Sequence, residues 1–270
     1  MSGSLLENEA PMENEEKLVV KGKTFGGERP ILCVTIAEQR EEEILRQVKQ
    51  LVGEGIAMVE IRGDFYDGLY DEDRLTYFFR RLKPLVQDTI LLFTVRTIPQ
   101  GGRTEPSLSY LQKIYDIASI SGVCDFIDIE FNELPDPGQV IRRIHESGAK
   151  VVASDHDYMQ TSKAAEMFDL LEKMGRAKAD MVELAVTPET PDDLLELLRV
   201  TNQFNRSHPD IPVITYSMGE EGILTRVTGE IFGSAVTFGS AGRSDLSGHV
   251  NYKSMQKVLD QVHDSLHGKL

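Results

Sequence analysis

Glu183 sits within Met181-Val182-Glu183-Leu184-Ala185-Val186, a run that is apolar on both alternating faces apart from this one residue. Its carboxylate therefore points into an interior, where a charge needs a partner or a purpose. His156 follows a second apolar run and is flanked by Asp155 and Asp157. An imidazole so placed is a candidate general acid or base. Arg62, Arg96 and Arg226 carry guanidinium forks that match a carboxylate and stay charged at any working pH, so together they are candidates for holding an anionic ligand. Glu60 beside Arg62, and Glu130 with a neighbour, also read as structural ion pairs. The remaining histidines His145, His208, His263 and His267 fall in helix or loop patterns and read as solvated surface.

These residues need elements to position them. Short β-branched apolar runs at 31–36, 57–61, 91–95, 126–129, 151–154, 181–186, 213–216 and 235–238 have the composition of buried parallel strands. Amphipathic stretches of helical length separate them, among them 41–52, 110–121 and 194–202. Thr190-Pro191-Asp192-Asp193 is a helix start, with a capping hydroxyl, proline in the first turn and acids at the positive dipole end. Eight strands in strict alternation with helices predict the α/β class and one (β/α)8 TIM barrel. Chemistry in that architecture sits at the C-terminal strand ends. That rule marks Thr35, Glu60, Arg62, Arg96, Asp128, Glu130, Asp155, His156, Glu183, Tyr216 and Met218, with Arg226 on the following helix and Asp245 and His249 in the loop after the eighth strand.

Residues 1–16, rich in glutamate, cannot bury enough apolar surface to order themselves and are expected to form a flexible acidic tail. Residues 18–28 suggest a hairpin turning on glycine, and 17–270 a single barrel with no linker dividing it. The chain of 270 residues is 40% hydrophobic and 27% charged, with a net charge of -15. That charge repels phosphate backbones and anionic lipid, so neither nucleic acid nor membrane is expected as a partner. There is no apolar run of about 20 residues and no signal-peptide pattern, which points to the cytoplasm. Cys33 and Cys124 lack metal spacing and read as reduced core residues. The partners expected are a small carboxylate-bearing molecule and a second copy of the chain in a homodimer.

Four motifs carry a resemblance that runs from about residue 18 to the C-terminus. They are Val59-Glu60-Ile61-Arg62-Gly63-Asp64, Leu92-Phe93-Thr94-Val95-Arg96-Thr97 with Gly101-Gly102, Ser154-Asp155-His156-Asp157-Tyr158, and the long Thr225-Arg226-Val227-Thr228-Gly229-Glu230-Ile231-Phe232-Gly233-Ser234-Ala235-Val236-Thr237-Phe238. With these the sequence resembles the type I 3-dehydroquinate dehydratases, barrel enzymes of aromatic amino-acid biosynthesis. In that family a lysine on the sixth strand forms a Schiff base with the substrate ketone, and a histidine after the fifth strand moves the protons of the elimination. The resemblance implies that His156 is the proton-transfer histidine and Arg226 the carboxylate-binding arginine, with Glu60, Arg62 and Arg96 as hydroxyl-binding and framing groups. It places the lysine position on Glu183, and a carboxylate cannot form an imine. The glutamate that orients the histidine matches Gln100, a loop serine matches Asp245, and a glutamine four residues later matches His249. Relative to that pattern the pocket gains about two negative charges, which a divalent cation would balance. Glu183, Asp245 and His249, joined by His156 or Glu60, offer a mixed oxygen and nitrogen set suited to Mn²⁺, Zn²⁺ or Fe²⁺. The same carboxylates could instead be protonated or paired with the arginines. The expected function is therefore a dehydratase-like lyase or isomerase acting on a small hydroxylated cyclic carboxylate without an imine, with Glu183 or His156 as base. The alternative is a silent paralogue that binds such a ligand as a sensor.

Overall fold

A computed structural model describes residues 17–242 and 250–268. The segment expected to form an acidic tail lies outside them, as does the loop holding Asp245 and His249. The chain opens with a two-stranded antiparallel hairpin, β1 (Val19–Val20) and β2 (Lys23–Thr24). Lys21 and Gly22 both take positive φ, of 47° and 72°, as the two central residues of a tight hairpin turn require. Eight parallel strands follow: β3 (Ile31–Ile36), β4 (Met58–Arg62), β5 (Ile90–Thr94), β6 (Phe126–Glu130), β7 (Lys150–Asp157), β8 (Met181–Val186), β9 (Val213–Ser217) and β10 (Val236–Ser240). They pair in the order β10-β3-β4-β5-β6-β7-β8-β9.

The helices are α1 (Glu41–Gly53), α2 (Glu72–Leu82), α3 (Leu108–Ile120), α4 (Pro137–Glu146), α5 (Ala164–Arg176), α6 (Pro191–Ser207), the short pair α7 (Ile223–Val227) and α8 (Gly229–Phe232), and α9 (Tyr252–Leu266). Side chains start several of them. Asp71 accepts the Arg74 N–H at 3.0 Å and Asp136 the Gln139 N–H at 2.9 Å. The expected start of α6 is present, with the Asp193 carboxylate accepting the Thr190 N–H at 2.8 Å. The (β/α)8 barrel read from alternation is thus the observed fold, with strand limits moved by a residue or so at most ends. The ring closes between β9 and β10 by a sparse seam. The Ala235 N–H meets the Val213 carbonyl at 2.7 Å, and the Thr215 N–H meets the Ser234 hydroxyl at 3.2 Å.

Period-two alternation stacks the barrel interior in layers. The lowest is apolar: Cys33, Met58, Leu92, Phe126, Val152, Met181 and Ile214 are all at most 1% exposed. Phe25, brought under the barrel by the hairpin, closes this layer with its ring edge-on to Phe126 at 5.3 Å. Two residues further along each strand the same inward face carries Thr35, Glu60, Thr94, Asp128, Ser154, Glu183 and Tyr216. Another step of two brings Arg62, Arg96, Glu130, His156, Ala185 and Met218. Every strand from β4 to β7 thus leaves the apolar layer and enters a polar one two residues further on. The outward strand faces pack against the helices in a separate apolar shell that includes Val34, Val59, Phe93, Ile127, Val151, Leu184 and the inner residues of α1 to α6.

Candidate active site

On the β4–β6 side of the mouth the charges are paired. Arg62 forks onto Asp64, Nε to Oδ1 and Nη2 to Oδ2, both at 2.8 Å. The pairing of Glu60 with Arg62 expected from sequence gives way to this one. Asp64 lies just past the strand end and folds back, while Glu60 accepts the Thr35 hydroxyl at 2.6 Å. Arg96 reaches three groups: Ser154 Oγ at 2.8 Å, Asp128 at 3.2 Å and Glu130 at 3.4 Å. Glu130 also takes the Thr97 N–H at 2.8 Å and its hydroxyl at 2.6 Å. A turn through Gly102 holds Arg96 from behind. A Cβ on that glycine would lie 1.8 Å from the Arg96 carbonyl oxygen, so only hydrogen fits.

On the β7–β9 side the groups face one another across Ala185. His156 and Tyr216 pair in register with Ala185 from either side, and its small side chain leaves the gap in which they meet. His156 Nε2 lies 2.9 Å from the Tyr216 hydroxyl, which donates to Glu183 Oε1 at 3.1 Å. His156 Nε2 is itself 3.4 Å from the same carboxylate oxygen. The histidine belongs to β7 rather than following it: the strand runs to Asp157, beyond the 151–154 read from its apolar residues. The side chain of Gln100 accepts the His156 main-chain N–H at 3.0 Å, and His156 Nδ1 is buried without a partner among the described residues. Arg226, only 2% exposed, lies 4.2 Å above the Tyr216 ring. Its Nε and Nη1 meet no hydrogen-bond acceptor among the described residues.

Five buried carboxylates, Glu60, Asp64, Asp128, Glu130 and Glu183, share this space with three guanidiniums. The proton affinities diverge accordingly. Burial, with Glu183, Glu130 and Glu60 nearby, outweighs Arg96 and pushes the Asp128 carboxyl up to about 7. Burial also raises Glu183, against the pull of Arg96, the Tyr216 hydroxyl and the other two arginines. His156 moves the other way, held well below its ordinary range by burial and by the charges of Arg96, Arg62 and Arg226. A neutral imidazole with a free nitrogen thus stands beside a carboxyl that holds its proton more tightly than usual, in a cavity of about 40 Å³. Tyr158, Met218 and Phe238 complete its lining.

A type I 3-dehydroquinase family model matches residues 32–265. The chain belongs to the type I 3-dehydroquinase family. It is 33% identical over 255 residues to the 3-dehydroquinate dehydratase of Clostridioides difficile (strain 630), covering 93% of this chain and 99% of that one. The 3-dehydroquinate dehydratase of Bacillus licheniformis is 33% identical over 253 residues, with 93% and 100% covered. Among solved structures, the type I 3-dehydroquinate dehydratase from Clostridium difficile with covalently modified comenic acid superimposes with a TM-score of 0.88 at 33% identity, over 93% and 99% of the two chains. The Geobacillus kaustophilus 3-dehydroquinate dehydratase gives 0.87 at 27%, over 92% and 96%.

For this member of the type I 3-dehydroquinase family the structure brings His156, Glu183, Glu60, Arg62, Arg96 and Arg226 to one cavity. Thr35 is not part of the cavity lining but bonds through its hydroxyl to Glu60, which is. Asp245 and His249 lie outside the described residues. Tyr216, marked in the sequence only as a strand-end residue, is the centre of the His156–Glu183 contact. The four histidines read as solvated are each paired with an acid: His145 with Asp180 at 2.7 Å, His208 with Glu172 at 3.4 Å, and His263 and His267 both with Glu230. Those acids are distant in sequence, so pattern reading could not supply them. No helix among the described residues is long and apolar enough to cross a membrane.

Proposed function

We propose that the chain is a carbon–oxygen lyase of the dehydroquinate-dehydratase type, acting on a small hydroxylated cyclic carboxylate such as 3-dehydroquinate by acid–base chemistry without an imine. The observation that carries this reading is Arg226, a buried guanidinium that lines the cavity shared by His156 and Glu183 and whose Nε and Nη1 have no partner among the described residues. A buried cation with open donors is costly unless an anion completes it, and a ligand carboxylate has the matching geometry. Neutral His156 then takes a proton from the carbon beside the ring ketone. The electron pair forms the double bond conjugated with the carbonyl. The carbon–oxygen bond breaks on the far side of that new bond, and the departing hydroxyl takes the proton of Glu183, directly or through Tyr216, to leave as water. Two groups whose surroundings push their proton affinities apart have the assignment such a reaction needs. By the resemblance, Glu183 occupies the position of the family's Schiff-base lysine, and its carboxylate cannot attack the ketone to form an imine.

A second reading, a silent paralogue that binds the same ligand, is supported by the arginines lining the cavity, which fit binding with or without turnover, and by the carboxylate at position 183 where the resemblance puts the nucleophilic lysine. The test adds 3-dehydroquinate to the purified chain, follows the conjugated enone by ultraviolet absorbance, and repeats the incubation with borohydride. Turnover with no mass added is expected, and Arg226→Gln should raise KM on the order of 10- to 100-fold through the lost charge-assisted bonds. A stable adduct on a lysine would overturn the non-imine chemistry. A raised melting temperature without turnover would select the silent paralogue, and neither binding nor turnover would remove both readings. Turnover abolished by a chelator and restored by Mn²⁺, with the bound ion lost in Asp245→Ala, would assign a divalent ion to Glu183 with Asp245 and His249.

A further inference from the structure

On the opposite face of the barrel from the mouth, two histidines and a glutamate converge from separate elements. His263 and His267 occupy consecutive turns of α9, four residues apart, so both rings project from one side of the helix. Glu230 comes from α8. Its Oε1 lies 2.9 Å from His263 Nδ1 and 3.1 Å from His267 Nε2, and the three donor atoms all fall within 4.8 Å of one another. The two ring centroids are 4.4 Å apart.

We infer that this cluster is a binding site for a first-row divalent transition ion, with Zn²⁺ as its natural probe. Around such an ion, bonds of about 2.1 Å put tetrahedral donors roughly 3.4 Å apart, so the separations at Glu230 need only a small adjustment. Two imidazole nitrogens and one carboxylate oxygen suit Zn²⁺, Ni²⁺ or Cu²⁺, whereas Mg²⁺ and Ca²⁺ take oxygen alone. The Glu230 side chain is only 6% exposed. Among the described residues its ion-pair partners are these two imidazoles, which in their neutral form bring it no positive charge. An ion bound there supplies that charge. His267 is also the C-terminal cap of α9, where the carbonyl end of the helix dipole favours a cation. His267 is 41% exposed, so water can enter and complete the coordination.

The ion would act as a clasp. Glu230 lies a few residues before Ser234 and Ala235, which join β10 to β9, and α9 packs over β10 and β3. Coordination ties the last helix to the segment that enters the seam. Because the unfolded chain does not hold the three donors together, binding stabilises the folded state by mass action. The experiment uses the full untagged chain, stripped with EDTA and titrated with ZnCl₂ by calorimetry, with melting followed in parallel. One equivalent should bind and raise the melting temperature. His267→Asn, a change at an accessible position, should weaken that equivalent on the order of 100-fold and remove the shift, whereas Glu183→Gln should keep both. Co²⁺ should give visible bands in the native chain and not in His267→Asn. No uptake of Zn²⁺, or uptake of equal affinity by the native chain and His267→Asn, would overturn the site.

Discussion

The two sides of the barrel mouth hold similar residues in different states. From β4 to β6, Arg62 and Arg96 are fastened to Asp64, Asp128, Glu130 and Ser154. From β7 to α7, His156 Nδ1 and two nitrogens of Arg226 stay open. Buried charges of the first kind fix a shape, because each group determines the place of its neighbours. Groups of the second kind impose no such arrangement, because no described residue meets their open atoms. The comparison teaches that strand-end charges are not equivalent: those bonded to buried carboxylates frame the cavity, and the others keep polar atoms that no described residue meets.

The difference can be broken most severely at Arg96. Arg96→Ala leaves Asp128 and Glu130 buried without their cation, which should cost about 3–5 kcal/mol of stability, read by urea denaturation at neutral pH. A loss below roughly 1 kcal/mol would mean that the paired side frames nothing.

A smaller effect sharpens the contrast through pH. An acid whose pKa is raised on folding, as Asp128 is to about 7, binds its proton more tightly in the folded state. Between its ordinary value near 4 and about 7 the folded chain therefore holds more of this proton, and the group's contribution to stability falls as pH rises through that window. Asp128→Asn has no proton to lose. The stability of Asp128→Asn relative to the native chain should accordingly improve from about pH 5 to about pH 7.5, measured by urea midpoints. A constant difference would show that Arg96 keeps Asp128 ionised throughout.

The smallest effect belongs on the open side. Tyr216→Phe removes the hydroxyl shared by His156 and Glu183, yet these two already lie 3.4 Å apart and can close on each other. A loss of about 1 kcal/mol is expected in thermal or urea unfolding. A loss as large as that of Arg96→Ala would make the tyrosine part of the frame.

The barrel was legible because its signal is local and repeated. Each strand carries its own apolar run, and the step of two from Met58 to Glu60 to Arg62, or from Phe126 to Asp128 to Glu130, can be followed in the sequence alone. The polar ends hid the strand limits: β7 continues through Ser154, Asp155 and His156 because hydrogen bonding to β8, not hydrophobicity, defines it. Pairing partners were the least legible. Glu60 and Arg62 lie on one strand face and suggest a pair, but Asp64 reaches the guanidinium from the turn beyond the strand. The Glu230 cluster joins residues 33 and 37 positions apart, a separation over which no periodic pattern can be read.

The seam between β9 and β10 is the thinnest joint in the wall of the site. Neighbouring strands elsewhere in the ring share a ladder, whereas here one main-chain bond and one hydroxyl bond span the joint. The cavity straddles that line, with Tyr216 and Met218 on one bank, Phe238 on the other and Arg226 on the helix between them. The helix carrying Arg226 is fastened to both strands, the Ser217 N–H donating to the Thr225 hydroxyl at 2.9 Å and the Thr237 hydroxyl donating to the Arg226 carbonyl at 2.8 Å. The enclosure is therefore joined like a bracelet at its clasp, and the guanidinium with open donors is carried on the link that bridges the two ends.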